Sequence, residues 1–300
     1  MPDVSIVRTS DLIHMLTVMK REQVVSGKKQ AQVESCMVRF QKGPTNNGTC
    51  SVLSLTRDLT GLTYVQCEAG SVYEDMLVPI PDIDRVLSIL KMHREWLTVD
   101  YKPSENKVLF RSSSEERTSK KQTTLQVSDE AKAFSHSPES VLAFYEKSLG
   151  LAERIDAEKE TYTDRNGNVI GPCASFTADA GEIYSALRCD AIGNQRLNRF
   201  TFQFDGERNF PNVTVIVGDP MYGQTETKIN TETSDSPVGT SDHTKRKPLT
   251  MDFDGGLDFL FKHKQGSCDV FFFDFTHEEQ GYRFGVRFND GSWAFQAGVL

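Results

Sequence analysis

No run of about 18 apolar residues occurs in the 300-residue chain, so the sequence offers no membrane-spanning helix. The opening residues, MPDVSIVRTSDL, lack the basic start and apolar stretch of a secretory signal. Six cysteines (Cys36, Cys50, Cys67, Cys173, Cys189 and Cys268) are scattered, with no C-x-x-C pair. Without a signal, that scatter predicts free thiols in a reducing compartment, and the sequons at Asn47 and Asn212 are incidental. Four motifs are also missing: the G-x-x-x-x-G-K-[ST] loop, a G-x-G-x-x-G turn after a strand, H-E-x-x-H, and the G-x-S-x-G elbow. Their absence removes the commonest nucleotide-binding, zinc-protease and serine-hydrolase readings. Nothing in the sequence argues for an enzyme, a metal or a cofactor.

The acids and histidines that remain have plain explanations. Asp252 and Asp254 in DFDGG share a strand face, as a solvated strand end entering a turn would place them. Asp269 and Asp274 flank VFFF on opposite faces of a strand and cannot share an ion without a bulge. His14 is expected on the solvent face of a helix, and His263 lies between Lys262 and Lys264, a poor neighbourhood for a metal cation.

An excess of basic charge is lacking too. The first 150 residues carry 19 Lys and Arg against 19 Asp and Glu; the rest carry 15 against 23, which accounts for the net charge of −8. Nucleic-acid binders usually announce themselves by a basic domain. Net charge and local field are separate quantities, however, so the positions of the cations matter more than their number.

What the chain does have is a pattern of short elements used twice. After Ser10-Asp11, a candidate N-cap, Leu12, Met15, Leu16 and Met19 recur at helical spacing. QVESCMVRF, CSVLSLT and GLTYVQCEA follow as strands, with a turn at Asn47-Gly48. YEDMLVPI then leads into a helix with Ile83, Val86, Leu87 and Leu90 inward and Arg85, Ser88 and Lys91 outward. WLTVDY, KVLFRSS and KQTTLQV close the first half. The second half repeats the order. CASFTA precedes the helix AGEIYSALRCDAIG, with Ile183, Leu187 and Ala191 clustered and Arg188 on its flank. RFTFQFDG, NVTVIVGD, PLTMDFDG, the helix GLDFLFKHK, CDVFFFDF, YRFGVRF and SWAFQAG complete it. Between the halves, Ser137-Pro138-Glu139 starts a further helix, with Val141, Leu142, Tyr145 and Leu149 as its apolar stripe. Residues 219–248 read as a polar, mobile loop. The expected class is α+β: an N-terminal domain at 1–127, a helical connector at 128–172 and a C-terminal domain at 173–300.

The segment VPIPDIDRVLSILK with its following strand and hairpin, and the pairing of AGEIYSALRCDAIGN with PLTMDFDGGLDFLFKHK, resemble the DNA sliding clamp family. That family includes the proliferating cell nuclear antigen of eukaryotes and archaea and the clamps of large DNA phages and viruses. The resemblance spans nearly the whole chain except 128–172 and 219–248. It implies a homotrimeric ring of two-domain subunits, with antiparallel sheets outside and short helices lining a hole for double-stranded DNA. It also implies a polymerase and a clamp loader as partners, an intracellular setting, and no membrane. The cations that would meet DNA are Lys20 and Arg21; Arg85, Lys91 and Arg94; Arg188, Arg196 and Arg199; and Lys262 and Lys264. Phosphate contacts of this kind carry no sequence information and can slide. Phe295, Val299 and Leu300 near the end would line an apolar pocket for partner peptides, although the long helical connector departs from the family. CDVFFFDF and KVLFRSS are candidate edge strands for closing a ring. Two other classes remain: a non-sliding accessory or checkpoint factor of the same fold, and a β-rich viral structural protein that binds no DNA.

Overall fold

The computed structural model describes residues 4–20, 22–25, 28–31, 33–45, 47–56, 61–113, 120–127, 137–164, 166–188, 199–204, 213–219, 223–231, 249–254, 260–262, 264–275 and 282–297. They fall into two compact units, one of Met1–Lys20 and Gln32–Gly150, the other of Arg21–Ala31 and Leu151–Leu300.

In the first unit, strand β1 (Val4–Arg8) runs directly into helix α1 (Thr9–Lys20), so the helix starts ahead of the expected Ser10-Asp11 cap. The hairpin β2 (Glu22–Val25) and β3 (Lys28–Ala31), grouped with the second unit, comes next in the chain. Then follow β4 (Cys36–Lys42), β5 (Gly48–Leu55), β6 (Gly61–Ala69), β7 (Ser71–Val72) and β8 (Met76–Ile80). Helix α2 (Ile83–Leu90), β9 (Trp96–Lys102), β10 (Lys107–Ser113), β11 (Lys120–Gln126) and α3 (Pro138–Ala152) complete it. One antiparallel array has the order β11-β10-β9-β1-β7, and in another β4 lies between β5 and β8, with β6 beyond β5.

The helices form where the apolar period matches 3.6 residues. Leu12, Met15, Leu16 and Met19 are all buried on α1, and Ile83, Val86, Leu87 and Leu90 on α2. Asp82 starts α2, its carboxylate accepting the Arg85 N–H at 2.9 Å. Ser137 caps α3 through the Ser140 N–H. The buried stripe of α3 is Val141, Tyr145 and Ser148; Leu142, expected inside, is 37% exposed. Tyr145 and Ser148 follow Val141 at four and seven positions, which keeps them on one face, and Leu142 sits about 100° away from it.

The second unit opens with a small sheet, β12 (Ile155–Asp156), β13 (Thr161–Thr163) and β14 (Val169–Ile170). It continues through β15 (Ala174–Asp179), α4 (Ala180–Leu187), β16 (Arg199–Phe204), β17 (Val213–Asp219), β18 (Gly223–Ile229) and β19 (Leu249–Asp254). Leu260 and Phe261 are helical and buried, and β20 (Ser267–Asp274), β21 (Tyr282–Phe288) and β22 (Trp293–Ala297) end the fold. Gly223–Ile229, expected within the irregular segment 219–248, is a strand paired with β17; 232–248 lies outside the described residues. Residues 189–198, where the second helix was expected to continue past Arg188, lie outside them too.

The duplication read from element order holds at the level of strand order. β15, β20, β21 and β22 are ordered as β1, β9, β10 and β11; β19, β16, β17 and β18 as β8, β4, β5 and β6. A constant shift of 171 residues carries the cross-strand pair Arg8↔Trp96 onto Asp179↔Ser267. The same shift carries the hydrogen bond from the Thr9 N–H to the Glu95 carbonyl (2.8 Å) onto that from Ala180 to Gly266 (2.9 Å). Glu95 (φ 49°) and Gly266 (φ 78°) share the left-handed backbone that this connection requires.

Two strands expected at edges are internal. β20, the VFFF strand, pairs with both β15 and β21, and β10 pairs with both β9 and β11. The cause is burial on both faces: Val270 and Phe272 enter the main core of the unit, and Phe271 and Phe273 are buried on the other side. Phe271 faces Gly285 across the sheet, where an added Cβ would meet its ring at 2.0 Å. β11 and β18 are the outer strands of their arrays instead.

Candidate nucleic-acid interface

α1 and α2 pack against one another, and the Lys20 ammonium crosses between them to Asp84 at 3.0 Å. Lys20 is thus half-buried and paired within the protein. Arg85 is exposed on the outer face of α2. Lys91 ends that helix, its N–H donating to the Leu87 carbonyl at 3.1 Å, and its side chain is exposed, as is that of Arg94 in the turn beyond. Among the described residues no carboxylate lies within ion-pair distance of Lys91 or Arg94. The helix dipole favours a cation at the Lys91 position. It does not favour two more in the same corner, Arg94 and Arg8, both exposed.

In the second unit, Asp179 caps α4 by accepting the Gly181 and Glu182 N–H groups at 2.8 and 3.1 Å. Arg188 ends α4 with its side chain exposed and its guanidinium 6.0 Å from the Tyr184 ring centroid. Lys262 follows the helical pair Leu260–Phe261 and is exposed. The 171-residue shift maps Lys91 onto Lys262, so one position of the duplicated unit presents a cation in both copies.

The same shift maps His93 onto Lys264, and both are buried, 5% and 7% exposed. His93 holds its ring nitrogens 2.9 Å from the Ser112 and Thr123 hydroxyls. Burial, with Lys121 nearby, lowers its pKa below the ordinary value. Lys264 pairs with Asp290 at 2.5 Å and lies 4.8 Å from the Phe288 ring centroid. Burial pulls the Lys264 pKa down, and the ammonium and the Ser292 N–H hold the more exposed Asp290 carboxyl below its usual range. The Lys264 charge is therefore spent on Asp290 and does not reach solvent. Arg21 and Arg196 lie outside the described residues. Arg199 stands on β16 opposite Asp254, and its side chain is outside them too.

Val299 and Leu300 also lie outside the described residues, but Phe295 is 6% exposed and already covered. Tyr162, on β13 in the connector, stacks on it with centroids 5.7 Å apart and planes within 7°. Tyr162 also touches Phe273 and Phe275, and the Arg283 guanidinium lies 5.1 Å from the Tyr162 ring centroid. Arg287 fixes the turn before β13, donating to the Glu158 carbonyl at 2.9 Å and to Asp269 at 2.7 Å. Burial and Asp269 raise the Glu160 pKa beside it. The alternation in TYT was the available signal for this strand, and three residues are too few to stand out in sequence. Asp269 is thus an ion-pair partner within the fold, on the face opposite Asp274 as its spacing requires. The five described cysteines are free thiols, and Cys50 and Cys67 face each other across β5 and β6.

No protein-family model matches the sequence, and no curated protein matches it. Solved structures do. The β sliding clamp of Caulobacter crescentus superposes with a TM-score of 0.59 at 13% identity, over 100% of this chain and 66% of that one. The beta subunit from the DNA polymerase of Streptococcus pyogenes gives 0.57 at 12%, over 98% and 65%. DNA polymerase III subunit beta from Borrelia burgdorferi gives 0.57 at 11%, over 99% and 64%. The fold is that of the DNA sliding clamps, and the chain spans about two thirds of the length of these neighbours.

Proposed function

We propose that the chain is a DNA polymerase processivity factor, a clamp that encircles duplex DNA and tethers replication proteins to it. Shared fold alone would be analogy. The observation that carries the function is the recurrence of an exposed cation on a duplicated unit, Lys91 and Lys262 at one position, with Arg85 on the outer face of α2, Arg94 in the turn beyond it and Arg188 at the end of α4 also exposed. In an acidic chain, a cation kept at one exposed position of both units suits a surface that touches phosphates without reading bases. A homotrimer is the assembly the resemblance implies, and a polymerase and a loader are the implied partners. A partner peptide that reached Phe295 would have to displace Tyr162.

The test is topological. Protein loaded on a nicked circular plasmid should stay bound through a high-salt wash and be released when the plasmid is linearised. Negative-stain images of the free protein should show rings with a hole wide enough for duplex. Particles without a hole at every concentration, together with retention on linear DNA, would overturn encirclement.

A further inference from the structure

The corner where α2 meets β9 carries a feature that duplex contact does not require. Trp96 is 42% exposed, and Met92 beside it 48%. The indole lies against Gly70, where an added Cβ would come within 2.7 Å of it, and the Arg8 guanidinium sits 5.2 Å from the ring centroid. Its orientation is therefore set before any ligand arrives, and a large part of its surface still faces water. Arg8 pairs across the sheet with Trp96, and Lys91 and Arg94 lie in the short turn leading to it. One exposed indole thus has a cation against its ring and two more exposed cations in the turn that leads to it.

The second unit shows that the fold does not need this arrangement. At the positions matching Arg8, Trp96 and Arg94 it carries Asp179, Ser267 and Gln265, on the same register and with the same Thr9-type backbone bond. Only the Lys91 position keeps its charge, as Lys262. An exposed indole costs solvation and has no packing role that its counterpart repeats. A duplex offers phosphates but no open base faces, so it has no use for the indole. An unpaired base offers an aromatic face, and stacking on tryptophan beside cations is how sequence-independent single-strand binding is built.

We propose that Arg8, Lys91, Arg94 and Trp96 form a site for single-stranded nucleic acid, Trp96 stacking an unpaired base and the cations holding its phosphates; this rests on the duplex-binding function above. The test measures fluorescence anisotropy of a labelled short oligothymidylate and, separately, of a blunt duplex with the full chain. Trp96→Ser and Arg8→Asp place residues the second unit already accommodates at this register, so both variants should fold. Trp96→Ser should weaken oligothymidylate binding about tenfold, Trp96→Phe should restore most of it, and plasmid loading should be unchanged in both Trp96 variants. Equal oligothymidylate binding by wild type and Trp96→Ser, with loading intact, would overturn the single-strand site and leave the clamp standing. Displacement of the oligonucleotide by polyglutamate as readily as by unlabelled oligothymidylate would also overturn it, marking the corner as a surface for acidic polymers. Loss of loading in the wild type would overturn the clamp function itself.

Discussion

Replacing Lys264 by alanine separates a cation that holds the fold from one that meets a phosphate. Lys264 and Lys262 lie two residues apart at the end of one helix, and the sequence gives no reason to treat them differently. The structure does. The Lys264 side chain is 5% exposed and its partner Asp290 41%. Removing one member of a fully buried pair costs about 3–5 kcal/mol. Because Asp290 can be rehydrated, about 2–3 kcal/mol is the better figure here, part of it from lost contact with Phe288. In a unit of this size that lowers Tm by roughly 5–10 °C. The chain has two tryptophans, Trp96 in the first unit and Trp293 in the second, so unfolding followed through Trp293 in a Trp96→Phe background reports on the affected unit. Lys264→Met should recover part of the loss, since it restores the buried apolar stem against Phe288 while Asp290 stays hydrated. Acid should do what Lys264→Ala does. The Asp290 pKa is lower in the folded state than its ordinary 3.8, so its contribution is complete above that value and is lost as pH falls through the folded value. Lys91→Ala should show the opposite profile: an unchanged Tm, and a log–log salt slope of DNA binding shallower by about 0.9. An unchanged Tm in Lys264→Ala, accompanied by a shallower salt slope, would refute the assignment.

The remaining tests are simpler. Lys91→Ala and Arg188→Ala should each reduce loading or processivity while leaving the particle intact by light scattering; unchanged primer extension by both would count against DNA-facing helices. Tyr162→Ala removes the ring stacked on Phe295 and should destabilise the second unit by about 3 kcal/mol in urea, whereas Tyr162→Phe should cost under about 1 kcal/mol. His93 is lowered from 6.5 in the folded state, so the unfolded chain takes up its proton first as pH falls. Stability of the first unit should therefore drop as pH falls through 6.5, and His93→Gln, which keeps a hydrogen-bonding side chain there, should flatten that dependence in thermal melts.

The helices were legible because their burial is one-sided. Ile83, Val86, Leu87 and Leu90 follow the 3.6 period with no exception, and the polar residues between them are all outside. Strands such as Gly61–Ala69 and Lys107–Ser113 were legible from β-branched and aromatic runs bounded by turn residues. What escaped was structure whose burial comes from distant partners. GQTETKI looks like loop because only Ile229 is buried in it, yet β17 supplies its hydrogen bonds. VFFF looks like an edge because alternation is missing, and alternation is missing because both faces are covered. The fate of Lys264 depended on Asp290, a neighbour 26 positions away, and that of Phe295 on Tyr162 in the connector.

Duplication makes these distinctions testable within one chain. Each unit is a control for the other, since a residue demanded by the fold should recur at the shifted position and one demanded by a ligand need not. His93 and Lys264 recur in burial although not in chemistry, which marks the position as structural. Lys91 and Lys262 recur in charge while exposed, as a contact made by both units requires. Arg8 and Trp96 do not recur at all. A ligand that treated the two units alike, as a duplex passing through a ring does, would exert no selection for that difference. The asymmetry therefore points to a partner that meets the first unit alone, and the shared lysine position to one that meets both.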